Sequence, residues 1–301
     1  VADEPGGDAR TLSGYDPSTT DLLLGITADV LRSFGSTFGG HVAIIGGLVP
    51  TLLVPEPPAD MEDHVGTADI DLCLSLHLID GETSDYYASI VEGLARMGLE
   101  HGERDGRTTR WRWVGAYRGV RLVVDLLSPS RSTAGRPERP REGSVAERNV
   151  GDASGVATIA LAHGHLVALD TDTITRRVPA AAGNLDFDFP VAGLTAWLCL
   201  KVDGIRSRDK AKDAFDVVWV LQAVGPEAAA AIVHRSRLLA SDLADETRAQ
   251  IDRLIDDQFL DVDSVGPGQY AAFREAPDDD RLKRDAHATV QAFGAALRGD
   301  R

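Results

Sequence analysis

Three acidic residues interrupt stretches that otherwise read as apolar β-strands. Asp69 and Asp71 break the run Ala68-Asp-Ile-Asp-Leu-Cys-Leu-Ser-Leu76, and Asp125 breaks Arg121-Leu-Val-Val-Asp-Leu-Leu127. Aspartate is depleted in strands, so these interruptions need a cause. Side chains alternate along a strand, which sends Asp69 and Asp71 to one face and Ile70 and Leu72 to the other. Two ionised carboxylates held close in a half-dry site require a cation. Mg²⁺, a hard ion that favours oxygen ligands and bound phosphates, suits them, with Mn²⁺ as the substitute.

Gly46-Gly47 supplies the other half of the pattern. The pair ends the buried-strand run His41-Val-Ala-Ile-Ile45 and opens a short helical stretch, 48–54, with Pro50 in its first turn. Glycine lets backbone approach an anion closely, and a helix N-terminus directs N–H groups at it. A Gly pair alone marks a turn more often than a phosphate site. Here a metal-ligand strand follows it, and a third carboxylate comes two elements later. Together they form the arrangement expected for in-line phosphoryl chemistry on a nucleoside triphosphate, with two cations roughly 3.5–4 Å apart. Asp69 and Asp71 would hold both ions. Asp125, on a neighbouring strand, would complete the site beside the acceptor hydroxyl and take its proton.

The elements that position these groups follow from periodicity. Residues 1–16, rich in Gly, Asp and Pro, read as a loose tail. A helix fits 19–34, a strand 41–45, a Pro- and acid-rich loop 55–66, a strand 68–76 and an amphipathic helix 84–97. Strand 109–114 precedes the strand carrying Asp125; 128–155 is a long loop, and strands return at 165–169 and 172–178. Beyond Asn184 the sequence turns helical, so a boundary is expected near 185. The expected fold is α+β: a mixed-sheet domain over 17–185, then a helical bundle over 186–301.

Composition narrows the class. With 43% hydrophobic and 26% charged residues, the 301-residue chain is an ordinary globular protein. No apolar run approaches the ~20 residues needed to cross a bilayer. The start, Val1-Ala-Asp-Glu-Pro-Gly-Gly7, has no signal-peptide pattern, and a cytoplasmic, membrane-free protein is expected. Cys73 and Cys199 lie in apolar runs and read as reduced core thiols. His163-Gly-His165 reads as a turn, and Arg235 and Arg237 as surface charges. A net charge of −16 argues against non-specific coating of nucleic acid. Residues 101–150 nonetheless carry eleven arginines against six acids. Trp111, Trp113 and Tyr117 stand among them; core packing accounts for them better than stacking on bases.

Gly46-Gly47, then Thr67-Ala-Asp-Ile-Asp-Leu72, then Val123-Val-Asp125 resembles the nucleotidyltransferase superfamily that includes DNA polymerase β. Within it the likeness is to the AbiEii/AbiGii-type toxin branch. There the helix Pro190-Val-Ala-Gly-Leu-Thr-Ala-Trp-Leu-Cys-Leu-Lys201 precedes Arg206-Ser-Arg-Asp-Lys-Ala-Lys-Asp-Ala-Phe-Asp216, a basic turn leading into a basic-Asp-x-x-Asp helix. The resemblance covers roughly 40–222. It implies nucleoside monophosphate transfer from an NTP such as ATP or GTP, by the toxin of a type IV toxin–antitoxin pair. The implied acceptor is RNA, such as a tRNA end, or a protein hydroxyl; the implied partner is a separate antitoxin protein. It also implies that Lys201 holds the triphosphate, with Asp213 and Asp216 orienting it or organising the basic cluster. The chain has four lysines against 27 arginines, and Lys201, Lys210 and Lys212 crowd together, as if a compact ammonium were needed there.

Two departures stand out. Leu48 follows the Gly pair where many superfamily members have Ser or Thr, which leaves the triphosphate grip to backbone N–H groups and Thr51. Twenty-one residues separate Gly47 from Asp69, so 55–66 reads as an insertion at the mouth of the site. Two other functions fit parts of the pattern: a small-molecule (aminoglycoside-type) nucleotidyltransferase, favoured by the acidic surface, and a non-catalytic NTP-binding relative.

Overall fold

The computed structural model describes residues 11–35, 41–74, 83–104, 106–129, 147–149, 156–207 and 210–299. Its helices are α1 (Thr20–Ser33), α2 (Val49–Leu53), α3 (Thr83–Arg96), α4 (Leu194–Ser207), α5 (Ala211–Val224), α6 (Pro226–Arg235), α7 (Ala244–Arg253), α8 (Val265–Phe273) and α9 (Asp280–Arg298). The strands are β1 (Val42–Ile45), β2 (Ile70–Leu74), β3 (Glu100–Arg104), β4 (Arg107–Tyr117), β5 (Val120–Pro129), β6 (Glu147–Asn149), β7 (Ala157–Leu161), β8 (Thr171–Ala180) and β9 (Gly183–Ala192). The fold is α+β, and it divides into two compact units. Among the described residues the first comprises Ser18–Leu48 and Thr67–Val191; the second takes the described part of Ala9–Pro17, with Val49–Gly66 and Ala192–Arg301.

The first unit is a mixed sheet in the order β3-β4-β5-β2-β1-β9-β8, with β7 paired to β5 and β6 to β7. Its middle strands are apolar on both faces, as a covered sheet requires: Val42 to Ile45 are all buried, and so are Leu122 to Leu127. An aspartate at such a position is conspicuous. β4 and β5 form a hairpin whose two loop residues, Arg118 and Gly119, have φ of 53° and 80°. Positive φ at both is the mark of a type I′ turn, whose twist matches that of the flanking strands and fixes their register. Helix α1 lies against β8 closely enough that any side chain at Gly25 would strike the Pro179 carbonyl.

Several elements differ from their sequence-based expectation. β2 begins at Ile70, so Asp69 precedes the strand instead of lying within it; residues 75–82 are outside the described residues. Residues 164–166 form one 3₁₀ turn, entered through His163 at φ 56°, where a strand was expected. The strand lies earlier, at β7, and pairs with β5 from Leu127 to Pro129. β9 carries the sheet on to Ala192, pairing in parallel with β1 through Ile44 and Val191. Of the long loop, 130–146 and 150–155 lie outside the described residues.

The second unit is helical. Gly225 at φ 86° ends α5, and Pro226 opens α6, where its missing N–H costs nothing. Asp279 caps α9 by accepting from the Arg281 and Leu282 N–H groups. Residues 11–16, expected as part of a loose tail, pack onto this unit. Ser13 donates to Glu275 over 2.5 Å, and the Tyr15 ring lies 5.7 Å from that of Phe273. Among the described residues no single helix is long and apolar enough to cross a membrane.

Candidate metal centre

Sheet register builds the first cluster. In the parallel pair β2–β5, Asp71 lies directly beside Asp125. Across β5's other edge Asp125 faces Arg112, and across β2's other edge Asp71 faces Ile45. Neighbours in register project to the same side, so Asp71, Asp125 and Arg112 stand in a row over one face. Asp69, two residues before Asp71, joins them. One carboxylate oxygen from each of Asp69, Asp71 and Asp125 lies within 4.8 Å of the others. Asp125 is buried and the other two are half-buried. Thr67 donates to Asp69 over 2.8 Å.

Such a donor set fits a hard divalent cation: three anionic oxygens, partly withdrawn from water, within bridging reach. Without a positive charge they repel one another, and Arg112 supplies one. Its Nε donates to Asp125 Oδ1 at 2.8 Å and its Nη2 to Oδ2 at 2.6 Å. Those hydrogen bonds raise the Arg112 pKa; burial opposes them, and the charges of Asp125, Asp69 and Asp71 reinforce them.

Gly46 also belongs here. It has φ 73°, and a side chain on it would collide with the Asp71 carboxylate. The glycine is therefore required twice over, by backbone conformation and by the close approach of a cluster member. Gly46, Gly47 and Leu48 form one 3₁₀ turn.

The remaining sequence candidates lie in the second unit, in a different setting. Lys201 (α4) donates to Asp213 Oδ1 at 2.5 Å and to Asp216 Oδ2 at 2.7 Å; Lys212 donates to Asp216 Oδ1 at 2.7 Å. Lys201 is 5% exposed and Asp216 is fully buried. The Asp213 carboxylate lies so tightly against Gly204 that any larger residue there would overlap it. Burial depresses the Lys201 pKa, but Asp213 and Asp216 more than offset it, and the net shift is upward. For Asp216 burial raises the pKa, and Lys201, Lys212 and His64 outweigh it, so the net shift is downward. Two lysines and two aspartates balance in charge. The Lys212 ammonium lies 5.5 Å from the Tyr15 ring centroid.

His64 completes this cluster, and sequence reading missed it. Its Nδ1 accepts the Gly66 N–H at 3.1 Å, so the proton sits on Nε2, which faces Asp216 Oδ1 at 3.0 Å. The Thr51 hydroxyl is 3.5 Å from the same Nδ1. Burial pushes the His64 pKa down to about 4, against a smaller upward pull from the Asp216 hydrogen bond. In the unfolded chain the imidazole protonates below about 6.5. The stability it contributes is therefore complete above that value and disappears as pH falls towards 4. We expect roughly 2 kcal/mol to be lost between pH 7 and pH 4.5, read by denaturant unfolding at those two values. His64→Gln should flatten that slope, and an equally steep variant would contradict the assignment.

The other candidates are quickly placed. Trp111 and Trp113 are each 3% exposed and serve as core. Tyr117 donates to Asp29 at 3.4 Å. Arg235 and Arg237 are exposed. Cys73 and Cys199 are buried free thiols, and burial pushes Cys73 up to about 12.

No family model and no curated protein matches the chain. Among solved structures it is similar to the crystal structure of an antigenic nucleotidyltransferase-like protein from Paracoccidioides brasiliensis. The identity is 13% and the TM-score 0.41, over 80% of this chain and 90% of that one. A likeness at that level says nothing about chemistry.

Proposed function

We propose that the protein is a metal-dependent nucleotidyltransferase, moving a nucleoside monophosphate from an NTP to an acceptor with release of pyrophosphate. One observation carries this reading: register places Asp71 beside Asp125, and Asp69 joins them within 4.8 Å. Asp69 and Asp71 would hold the cations, and the Gly46 and Gly47 backbone would approach the phosphates. Bound there, Mg²⁺ would neutralise charge developing on the transferred phosphoryl group and on the leaving pyrophosphate. Asp125 already accepts from Arg112 on both oxygens. Each oxygen retains a second lone pair, which suits it to holding a cation.

The finer reading rests on the motifs from Lys201 to Asp216, which resemble the AbiEii/AbiGii-type toxin branch. On that basis the acceptor is RNA, such as a tRNA end, or a protein hydroxyl, and a separate antitoxin is the partner. The buried pairing of Lys201 favours a role in organising the helical unit over direct contact with phosphate. Thr51 is a candidate on sequence grounds alone. Incubation with Mg²⁺, labelled NTPs and either total tRNA or protein should release pyrophosphate and label one acceptor class. NTP binding with no pyrophosphate release on any acceptor would favour a non-catalytic nucleotide-binding role.

A further inference from the structure

We propose that Arg112 is the resident counter-cation of the carboxylate cluster: it holds Asp125 in place and sets the charge against which an incoming divalent cation must bind. This rests on the reading of the cluster as a cation site.

Arg112 is built into that position. β4 is the strand next to β5, and Arg112 is the residue directly opposite Asp125. The guanidinium engages both carboxylate oxygens, at 2.8 and 2.6 Å, in the planar fork that only arginine offers. Its stem is accommodated by β3, which shifts register between His101 and Gly102. A methyl group on Gly102 would come to 2.9 Å from Arg112 Cγ, so the stem occupies space that a missing side chain leaves. A β-bulge re-aims nearby side chains, and here it lies beside the one that reaches the cluster.

The charge argument follows. Three carboxylates within 4.8 Å of one another would splay apart unaided. Arg112 offsets one of the three charges and locks the orientation of Asp125, so the cluster is assembled before a cation arrives. The same positive charge repels that cation. Arg112 therefore gives up cation affinity in exchange for geometry, and it acts through Asp125 as a positioning residue.

The two effects separate in a binding measurement. Free Mn²⁺, followed by electron paramagnetic resonance, is titrated with wild type, Arg112→Met, Arg112→Gln and Arg112→Lys, each checked for folding by circular dichroism. Removing the charge should tighten Mn²⁺ binding about tenfold, from the Coulomb term at a partly solvated site. Arg112→Lys, which keeps the charge but loses the fork that positions Asp125, should bind Mn²⁺ more weakly than wild type. Arg112→Gln tests the same point should Arg112→Met fail to fold. Neutral variants that bind Mn²⁺ no tighter than wild type would overturn the proposal, since a merely structural arginine would weaken binding when lost. So would a lysine variant that tightens as much as the neutral ones. Wild type that binds no Mn²⁺ in an Asp71-dependent way would instead sink the cation site itself.

Discussion

Asp71→Asn is expected to lower NTP-dependent pyrophosphate release by a factor on the order of a thousand, the equivalent of about 4 kcal/mol of transition-state stabilisation, while the protein melts no lower than wild type. The activity loss follows from position. Asp71 lies beside Asp125 and one alternation from Asp69, so its loss would remove the ligand that the proposed cations share. Stability should hold because one of three mutually repelling charges disappears while the shape is kept. Asp125→Ala makes the contrast. It should cost comparable activity but also roughly 1–3 kcal/mol of stability, because Arg112 loses both of its hydrogen bonds to Asp125. Full activity in Asp71→Asn would overturn the catalytic assignment. Equal melting of the two variants would show that Arg112 is not structurally coupled to the cluster.

The second large effect concerns stability. Lys201→Met is expected to destabilise the helical unit by about 3–5 kcal/mol, as removal of one partner from a buried ion pair does. Lys201 is the ammonium between Asp213 and Asp216, and its loss leaves the cluster with an excess negative charge in a dry environment. Restoring neutrality tests the cause: Lys201→Met combined with Asp213→Asn should recover much of the loss. The sequence alone suggests the opposite outcome for Lys201, weaker NTP use with folding intact. An unchanged melting curve with weakened nucleotide affinity would return Lys201 to the triphosphate.

The carboxylate cluster was the most legible part of the site, because aspartate in an apolar strand runs against propensity and alternation fixes its face. Arg112 was readable in principle. The turn at Arg118-Gly119 sets the hairpin register, and counting outward from it places Arg112 opposite Asp125. Trp111 and Trp113, on alternate positions, are buried as core, and Arg112 between them projects to the opposite face. β9 is legible in Leu185-Asp-Phe-Asp-Phe189, which alternates strictly, although helical periodicity begins just beyond it. Residues 165–169 went the other way, since a short apolar stretch does not reveal the positive φ that bends it into a turn.

The lysine cluster was recognised as special, but its meaning depended on partners distant in the chain. Asp216 gathers Lys201, Lys212 and His64, the last from 152 positions away. His64 lies in a Pro- and acid-rich stretch with the composition of an exposed loop, and only tertiary packing shows it to be 4% exposed. Of the three crowded lysines, Lys201 and Lys212 join this cluster, whereas Lys210 is exposed. The ammonium groups of Lys201 and Lys212 donate to the buried carboxylates of Asp213 and Asp216.

The most direct test of the central claim is diffraction from crystals soaked with Mn²⁺ and a non-hydrolysable NTP, using the anomalous signal to locate the metal. The account predicts manganese within about 2.0–2.2 Å of oxygens from Asp69, Asp71 and Asp125, with the phosphates on the same side of the sheet. Nucleotide bound with no anomalous peak at those carboxylates would contradict it.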